Sequence, residues 1–260
     1  MNLLMIGDIV GAPGRAGFAT ALFRMRQSMT IDFVVANGEN AAGGKGVTRS
    51  IAEELFRAGA DVITMGDHVW DQKELVSYID VEPRIIRPAN LPPGSPGSGC
   101  SSFATPMGPV TVVSILGRVF MRSQDCPFRT MDSILKPERN RGKVIIVDFH
   151  AEATSEKVAM GRYLDGRVSF LGGTHTHVQT SDECVLQGGT GYITDLGMTG
   201  PKDSVIGRDV QSVLQAFVRG MPTRFEIPSG DVRMEGVLVD IDETTGKTRS
   251  VVRVREPGLE

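Results

Sequence analysis

Cysteine, excess charge of one sign and long apolar runs are all scarce in this sequence of 260 residues. Its three cysteines, Cys100, Cys126 and Cys184, are widely separated and lack CxxC spacing, so neither a disulfide framework nor a structural zinc site is indicated. The formal net charge of -3 argues against a tight grip on long nucleic acid. Without an export signal or an 18-residue apolar run, the sequence predicts a cytoplasmic protein that does not enter the membrane.

Short apolar runs alternate with segments of helical periodicity, a pattern that predicts repeated β–α units and an α/β fold. The strand at 2–7 is followed by a helix over residues 13–29. A second helix is predicted to open near Thr48 or Ser50, where Ser50 and Glu53 have the spacing of a capping box. The other strands are predicted at 32–36, 61–65, 84–87, 109–115, 143–149, 168–172, 184–187, 190–194, 236–241 and 247–255, and further helices near 71–80, 129–136 and 155–165.

The segment 88–100 is rich in proline and glycine, which predicts a surface loop. Because it is only about a dozen residues long, we interpret it as an excursion from one domain that spans residues 1–260, and not as a linker between two domains. A late helix is predicted from apolar residues that share one face and end at Gly220. The residues of this face are Val210, Val213, Leu214 and Phe217.

Histidine is scarce as well, and every histidine lies near the C-terminal end of a predicted strand. The four are His68, His150, His175 and His177. Polar residues at similar positions are Asp8, Glu39, Asn40 and Asp67. Because open α/β sheets build their sites at the carboxyl ends of strands, we expect these side chains to meet.

A set of carboxylate and imidazole ligands suits borderline divalent ions such as zinc, manganese or iron, whereas magnesium and calcium prefer oxygen alone. Seven such ligands are too many for one ion that keeps an open position. Two ions about 3.5 Å apart, bridged by a carboxylate and a hydroxide, would use them all. The sequence therefore predicts a dinuclear metal site.

Each feature also has a purely structural interpretation. Asp8 is suited to capping a turn, and Asn37 with Gly38 to forming one. The glycines of the segment 43–46 lack the lysine-serine ending of a phosphate loop and are adequately explained as a flexible loop. The simplest interpretation of Arg84, Arg87 and Arg122 is that they are solvated charges. The joint placement of the histidines and acids at one edge favours the metal site.

In their order along the chain, these segments resemble the signature of calcineurin-like metallophosphoesterases: a strand-end Asp, a bridging acid, a GNH-type turn, a lone His and a final HxH. More narrowly, they resemble the YmdB-like bacterial phosphodiesterases over nearly the whole chain. The matching segments are 7–11, 37–41, 68–71, 87–90 and 173–177. The resemblance implies a four-layer α/β/β/α sandwich with a dinuclear site at the strand ends, and hydrolysis of 2′,3′-cyclic nucleotides.

The resemblance also implies a role for each site residue. One ion would be held by Asp8, Glu39, Asn40 and His177. The other would be held by Glu39, Asp67, His150 and His175, so that Glu39 bridges the two ions. His68 remains free of the metals and becomes the general acid that protonates the leaving oxygen.

Two positions depart from the family pattern. Val10 stands where the wider superfamily has a histidine, for which Asn40 would compensate, and Asp67 stands where the family normally has asparagine. With three carboxylates and a bridging hydroxide, two divalent ions form a nearly neutral cluster, which favours a singly charged diester over a doubly charged monoester. A trivalent iron would restore the charge, so the predicted metals are an Fe2+/Fe3+ pair or Mn2+.

The predicted activity is in-line attack of a metal-bound hydroxide on a 2′,3′-cyclic nucleotide such as 2′,3′-cAMP, giving the 3′-monophosphate. The predicted partner is thus a small phosphodiester or nucleotide, with neither long nucleic acid nor membrane. A metal-dependent phosphomonoesterase and a regulator that binds nucleotides without turnover remain as alternatives. The oligomeric state is left open, and a homo-oligomer is compatible with the sequence.

Overall fold

Two β-sheets and their flanking helices make up the computed structural model, which describes residues 1–137 and 142–258. The strands are β1 (Asn2–Ile6), β2 (Asp8–Ile9), β3 (Phe33–Asn37), β4 (Val62–Thr64), β5 (Ile85–Ile86), β6 (Cys100–Phe103), β7 (Val110–Leu116), β8 (Val144–His150), β9 (Phe170–Thr174), β10 (Cys184–Val185), β11 (Gly191–Ile193), β12 (Met198–Pro201), β13 (Val232–Ile241) and β14 (Thr248–Pro257). The helices are α1 (Gly11–Ser28), α2 (Arg49–Ala58), α3 (Leu75–Tyr78), α4 (Pro127–Ile134), α5 (Thr154–Leu164) and α6 (Val210–Arg219).

The order of strands brings parallel strand ends together in each sheet. The first sheet has the order β2-β12-β13-β1-β3-β4-β5, with β14 paired to β13, and the second has the order β10-β11-β9-β8-β7-β6. Strands β1, β3, β4 and β5 run parallel, as do β7, β8 and β9. Each parallel set therefore presents its carboxyl ends at one edge, where α/β sheets carry their sites.

Three apolar cores separate the layers. In the first, Phe18 and Leu22 of α1 and Leu55 of α2 pack with residues of the first sheet. The second lies between the sheets and includes Met5 of the first sheet and Ile146 of the second. In the third, residues of α4 and α5 pack on the other face of the second sheet. The cores thus order the chain as helices, sheet, sheet and helices, which confirms the predicted α/β class.

The start of α2 differs from the prediction. Thr48 is the N-cap, and its side chain accepts a hydrogen bond from the backbone N of Ile51 at 3.3 Å. Ser50 lies inside the helix, and Glu53 pairs with Arg49 at 2.8 Å. The predicted capping box of Ser50 and Glu53 is therefore wrong, because Thr48 offers the same hydroxyl two residues earlier.

Three short strands, β2, β6 and β12, were missed by the sequence patterns. Strand β6 has the sequence CSSF and only partial burial, so it shows no apolar alternation. Strand β12 contains Gly200 and ends at Pro201, both of which disfavour strands. Strand β12 nevertheless pairs with β13 and with β2, the strand that begins at Asp8.

The apolar face of α6 is mostly uncovered. Val213 is buried, whereas Leu214 is 48% exposed and Phe217 is 81% exposed. Helical periodicity therefore identified the helix but not what covers it. No helix in the described part of the chain is long and apolar enough to cross a membrane.

Two of the arginines interpreted as solvated charges have defined partners. Arg87 is partly buried, and its guanidinium donates to the carbonyl oxygens of Pro88, Ser95 and Pro96. Arg84 binds Glu82 at 2.6 Å and lies over the ring of Phe56. The solvated interpretation is therefore wrong for Arg87, which organises the loop rich in proline and glycine, whereas Arg84 is an exposed charge that pairs at the surface.

Candidate active site

Strand ends from both sheets bring the predicted side chains together. Asp8 opens β2, Glu39 and Asn40 follow β3, and Asp67 and His68 follow β4. From the second sheet, His150 ends β8, and His175 and His177 follow β9. The side chains form two groups, and His68 lies beside both of them.

Four of the side chains form the first group, which consists of Glu39, Asp67, His150 and His175. One ligand atom of each lies within 4.8 Å of the ligand atoms of the others. Nε2 of His150 is the centre of the group, 3.1 Å from an oxygen of Glu39, 3.1 Å from an oxygen of Asp67 and 2.9 Å from Nδ1 of His175. A single ring nitrogen thus faces three atoms that carry lone pairs.

The tautomer of His150 follows from its other neighbours. The hydroxyl of Thr174 donates to Asp148 at 2.6 Å, so it accepts from Nδ1–H of His150 at 2.9 Å. In the neutral ring, Nε2 of His150 therefore carries a lone pair toward Glu39 and Asp67. Only a cation at that point, a second proton or a metal ion, reconciles the converging lone pairs.

A second group consists of Asp8, Asn40 and His177. Nδ1 of His177 lies 3.0 Å from the carbonyl oxygen of Ile206, which can only accept, so Nδ1 carries the proton. Nε2 of His177 then faces Oδ1 of Asn40 at 3.2 Å and Oδ1 of Asp8 at 3.7 Å. Here again lone pairs converge on one point.

Two further observations fit metal ions. Oδ1 of Asp8 is buried and has no hydrogen-bond partner within residues 1–137 and 142–258, although buried polar atoms of native proteins rarely lack a partner. At Gly66, a Cβ atom would lie 2.1 Å from Oε2 of Glu39 and 2.5 Å from Nε2 of His150, so only glycine lets the backbone pass this close. Carboxylate, amide and imidazole groups together suit borderline divalent ions. The residues present therefore fit the metals that the sequence predicts.

The electrostatics agree with a positive charge at the centre of the first group. Burial opposes ionisation of His150 and Glu39, but their mutual attraction outweighs it, so the pKa of His150 is raised and the pKa of Glu39 is lowered. Burial and the neighbouring His150 lower the pKa of His175 to about 4, which keeps this ring neutral and able to act as a ligand. Burial raises the pKa of Asp8 to about 6.

His68 lies apart from both groups. Its backbone N donates to Oε2 of Glu39 at 3.3 Å, and its Nδ1 lies 2.9 Å from Oδ2 of Asp71. The side chain lines a cavity of about 310 Å³ together with residues of both groups, among them Glu39, Asn40, His175 and His177. A bound substrate would therefore meet His68 and the two groups at once.

Comparison with known proteins identifies the family of this chain. The model of the YmdB-like protein family matches residues 4–254. This chain belongs to that family.

Relatives of this YmdB-like chain match it at full length. The chain is 44% identical over 254 residues to the 2′,3′-cyclic-nucleotide 2′-phosphodiesterase of Bacillus subtilis (strain 168), and the alignment covers 98% of this chain and 96% of the relative. A hypothetical protein from Thermus thermophilus superposes with a TM-score of 0.93 at 38% identity over 100% of both chains. A novel phosphatase from Mycoplasma pneumoniae superposes with a TM-score of 0.93 at 31% identity, over 99% of this chain and 93% of that chain. The predicted family and the metallophosphoesterase type of fold are confirmed.

A buried ion pair, missed by sequence reasoning, holds the histidine loop of this YmdB-like chain. Nζ of Lys157 lies 2.6 Å from Oδ2 of Asp195, and both side chains are 1% exposed. The same oxygen accepts from the backbone N of Thr176 at 3.2 Å and from its hydroxyl at 2.8 Å. On either side of Thr176, His175 and His177 have φ angles of 98° and 63°, a conformation that non-glycine residues adopt only where the surroundings hold it. No sequence signal marked the pair, because its partners are 38 residues apart.

Two more residues of the cleft were missed. Oε2 of Glu152 lies 3.3 Å from Nε2 of His175. Arg208 lines the same cavity as His68 and the two groups. Arg208 follows no predicted strand, so its position depends on the path of the loop before α6 and not on a pattern that the sequence displays.

Proposed function

We propose that this chain is a dinuclear-metal phosphodiesterase that hydrolyses 2′,3′-cyclic nucleotides to 3′-monophosphates. The observation that carries the proposal is the pair of adjacent points, at Nε2 of His150 and at Nε2 of His177, where lone pairs converge. The B. subtilis relative, named for this activity and aligned over almost the whole chain, supports the choice of substrate.

One ion would be held by Asp8, Glu39, Asn40 and His177, and the other by Glu39, Asp67, His150 and His175. Glu39 is suited to bridging because its neighbour Asn40 belongs to the second group while its own carboxylate belongs to the first. When bound, two such ions lower the pKa of a water molecule and draw charge from a phosphate. Iron or manganese matches the mixed ligand set.

The residues around the ligands fix their orientation. Asp148 is buried and accepts from Thr174 at 2.6 Å, from Thr64 at 2.5 Å and from Asn37 at 3.0 Å. Through Thr174, this carboxylate holds the proton of His150 on Nδ1 and turns Nε2 toward the site. Such outer hydrogen bonds are known to tune the affinity of a metal site.

His68 is the general acid of the proposal. Its Nδ1 faces Asp71, so in the protonated ring Nδ1–H donates to that carboxylate and Nε2–H is left for the substrate. As the water oxygen bonds to phosphorus and gives up one proton to the solvent, the bond from phosphorus to the 2′ oxygen breaks, and His68 donates its proton to that oxygen. Because His68 stands outside both groups, its loss removes this proton without removing a ligand.

Charge favours the diester. Asp8, Glu39 and Asp67 place three carboxylates around the two ion positions, so two divalent ions and a bridging hydroxide would bring the loaded site close to neutral. A less positive site weakens the attraction for a doubly charged monoester more than the attraction for a singly charged cyclic diester. The alternative, a phosphomonoesterase, is favoured by the description of the M. pneumoniae structure as a phosphatase.

A substrate comparison tests the proposal. Protein purified under anaerobic conditions and loaded with iron or manganese should convert 2′,3′-cAMP to 3′-AMP and leave 3′-AMP almost unchanged. A higher kcat/KM for 3′-AMP than for the cyclic diester would establish the phosphomonoesterase instead. Binding of the cyclic nucleotide without turnover by fully loaded protein would establish a regulator.

A further inference from the structure

Arg208 is a cation of the metal cleft that the activity described so far does not use. It lines the cavity of about 310 Å³ with Glu39, His68 and His177. Its side chain donates to the carbonyl oxygen of Gly44 at 2.8 Å and to that of Gly43 at 3.4 Å. The guanidinium is partly buried, and no salt bridge joins it to a carboxylate of residues 1–137 or 142–258.

The glycine-rich loop is shaped around this guanidinium. A Cβ atom at Gly44 would lie 2.2 Å from both terminal nitrogens of Arg208, so a side chain there would displace them. Gly43 and Gly44 have φ angles of 61° and 89°, which turn the loop so that both carbonyl groups face the arginine. The glycines that sequence analysis interpreted as loop flexibility therefore have a defined role, which is to seat Arg208.

Arg87 shows what a purely structural arginine looks like in the same molecule. It is also partly buried, but its three guanidinium nitrogens each donate to a carbonyl oxygen of the segment 88–96. In Arg208 only the two terminal nitrogens have an acceptor among the described residues, and Nε has none. A guanidinium offers five N–H donors, so Arg208 keeps donors available inside the cleft.

We propose that Arg208 binds the phosphate of the substrate, through charge-assisted hydrogen bonds to its non-bridging oxygens. The proposal deepens the function proposed above and rests on it for the identity of the substrate. A planar guanidinium matches two oxygens of one phosphate, and its fixed charge stabilises the negative charge that those oxygens gain as the water oxygen bonds to phosphorus. In a site that three carboxylates bring close to neutrality, Arg208 supplies the positive charge that the phosphate needs.

The test compares two substitutions at Arg208 with the matched control Arg87→Met. For each metal-loaded protein, the measurements are ions per chain, competitive inhibition by inorganic phosphate and kcat/KM for 2′,3′-cAMP. Arg208→Met should keep both ions and raise the inhibition constant of phosphate roughly 10- to 100-fold, the usual worth of charge-assisted bonds, with a similar loss of kcat/KM. Arg87→Met should leave the inhibition constant within about twofold of the wild-type value, because its bonds lie outside the cleft.

Arg208→Lys keeps the test decisive if Arg208→Met does not fold. Lysine retains the charge but not the fork that spans the glycine carbonyls and the phosphate, so it should bind phosphate roughly 10-fold more weakly than the wild type. A wild-type inhibition constant in either folded variant would overturn the proposal. Calorimetric binding of phosphate to the loaded protein reports on Arg208 even if the wild type hydrolyses no cyclic nucleotide, which separates failure of this proposal from failure of the proposed function.

Discussion

The two groups of the site are built differently. The first group is centred on His150, which ends a strand, is fully buried and is braced by Thr174 and Asp148. The second group has one carboxylate, Asp8, and its histidine is oriented by a backbone carbonyl of the loop at Ile206. The first group has two carboxylates and a histidine at a strand end, whereas the histidine of the second group depends on where a loop lies.

This difference leads us to expect two ions of unequal affinity. More negative charge attracts a metal ion more strongly, and ligands that are already fixed lose less conformational freedom when the ion binds. The ion in the first group should therefore bind more tightly. The ion in the second group should exchange first.

Glu39→Gln should eliminate the difference in metal affinity between the two groups. Because Glu39 is the one residue assigned to both ions, its neutral analogue should remove both together and bring turnover to the background rate. Elemental analysis after metal loading and gel filtration measures the outcome. Retention of one full equivalent would show that the bridge is misassigned.

His68→Ala should leave the metal content of both groups unchanged and slow only the chemical step. Since the proposed role of His68 is proton donation, kcat for 2′,3′-cAMP should fall by roughly 10²–10⁴. An aryl phosphodiester, whose leaving group needs no proton, should lose far less. A parallel fall in metal content would make His68 a ligand and would remove the general acid from the mechanism.

Asp148→Asn should weaken the first group and spare the second. The change replaces a carboxylate oxygen near Thr174, so the proton on Nδ1 of His150 is no longer fixed. Loss of such a support typically lowers metal affinity about 10- to 100-fold. Competition with a chelator measures the two affinities, and equal losses for both ions would contradict the separation of the groups.

Acid should weaken the binding of the ion in the second group below about pH 6. Burial raises the pKa of Asp8 to about 6, so below that pH a metal ion must displace a proton from this carboxylate before it binds. The affinity of the weaker ion should then fall about tenfold for each pH unit below about 6, and it should be independent of this group above that pH. Metal titrations between pH 5 and 8 check the slope. A matching loss in Asp8→Asn protein would show that another group is responsible.

The sequence predicted which side chains meet because all of them lie near strand ends, and short apolar runs locate strands well. Their role as metal ligands stays a prediction. The sequence could not predict what depends on tertiary packing. Thr48 and Ser50 are equally good caps locally, and only the packed helix selects Thr48. Phe217 has the helical spacing of a core residue but is 81% exposed. Helical periodicity identifies an apolar face, but it does not show what packs against that face.

The orientation of the ligands was equally hidden. Asp148 looked like one residue of a buried strand, and its contact with Thr174 joins neighbouring strands of the second sheet. Lys157 and Asp195 meet although they lie 38 residues apart. Residues that bind a metal share a chemical signature, whereas residues that hold the ligands in place do not, so these were found only in three dimensions.

Stepwise metal loading of stripped protein, followed by turnover of 2′,3′-cAMP at each step, tests the dinuclear assignment most directly. We expect two ions per chain with distinguishable affinities, little turnover up to one ion per chain, and a rise to full activity as the second position fills. Full activity at one ion per chain, or saturation of the protein by a single ion, would contradict this assignment.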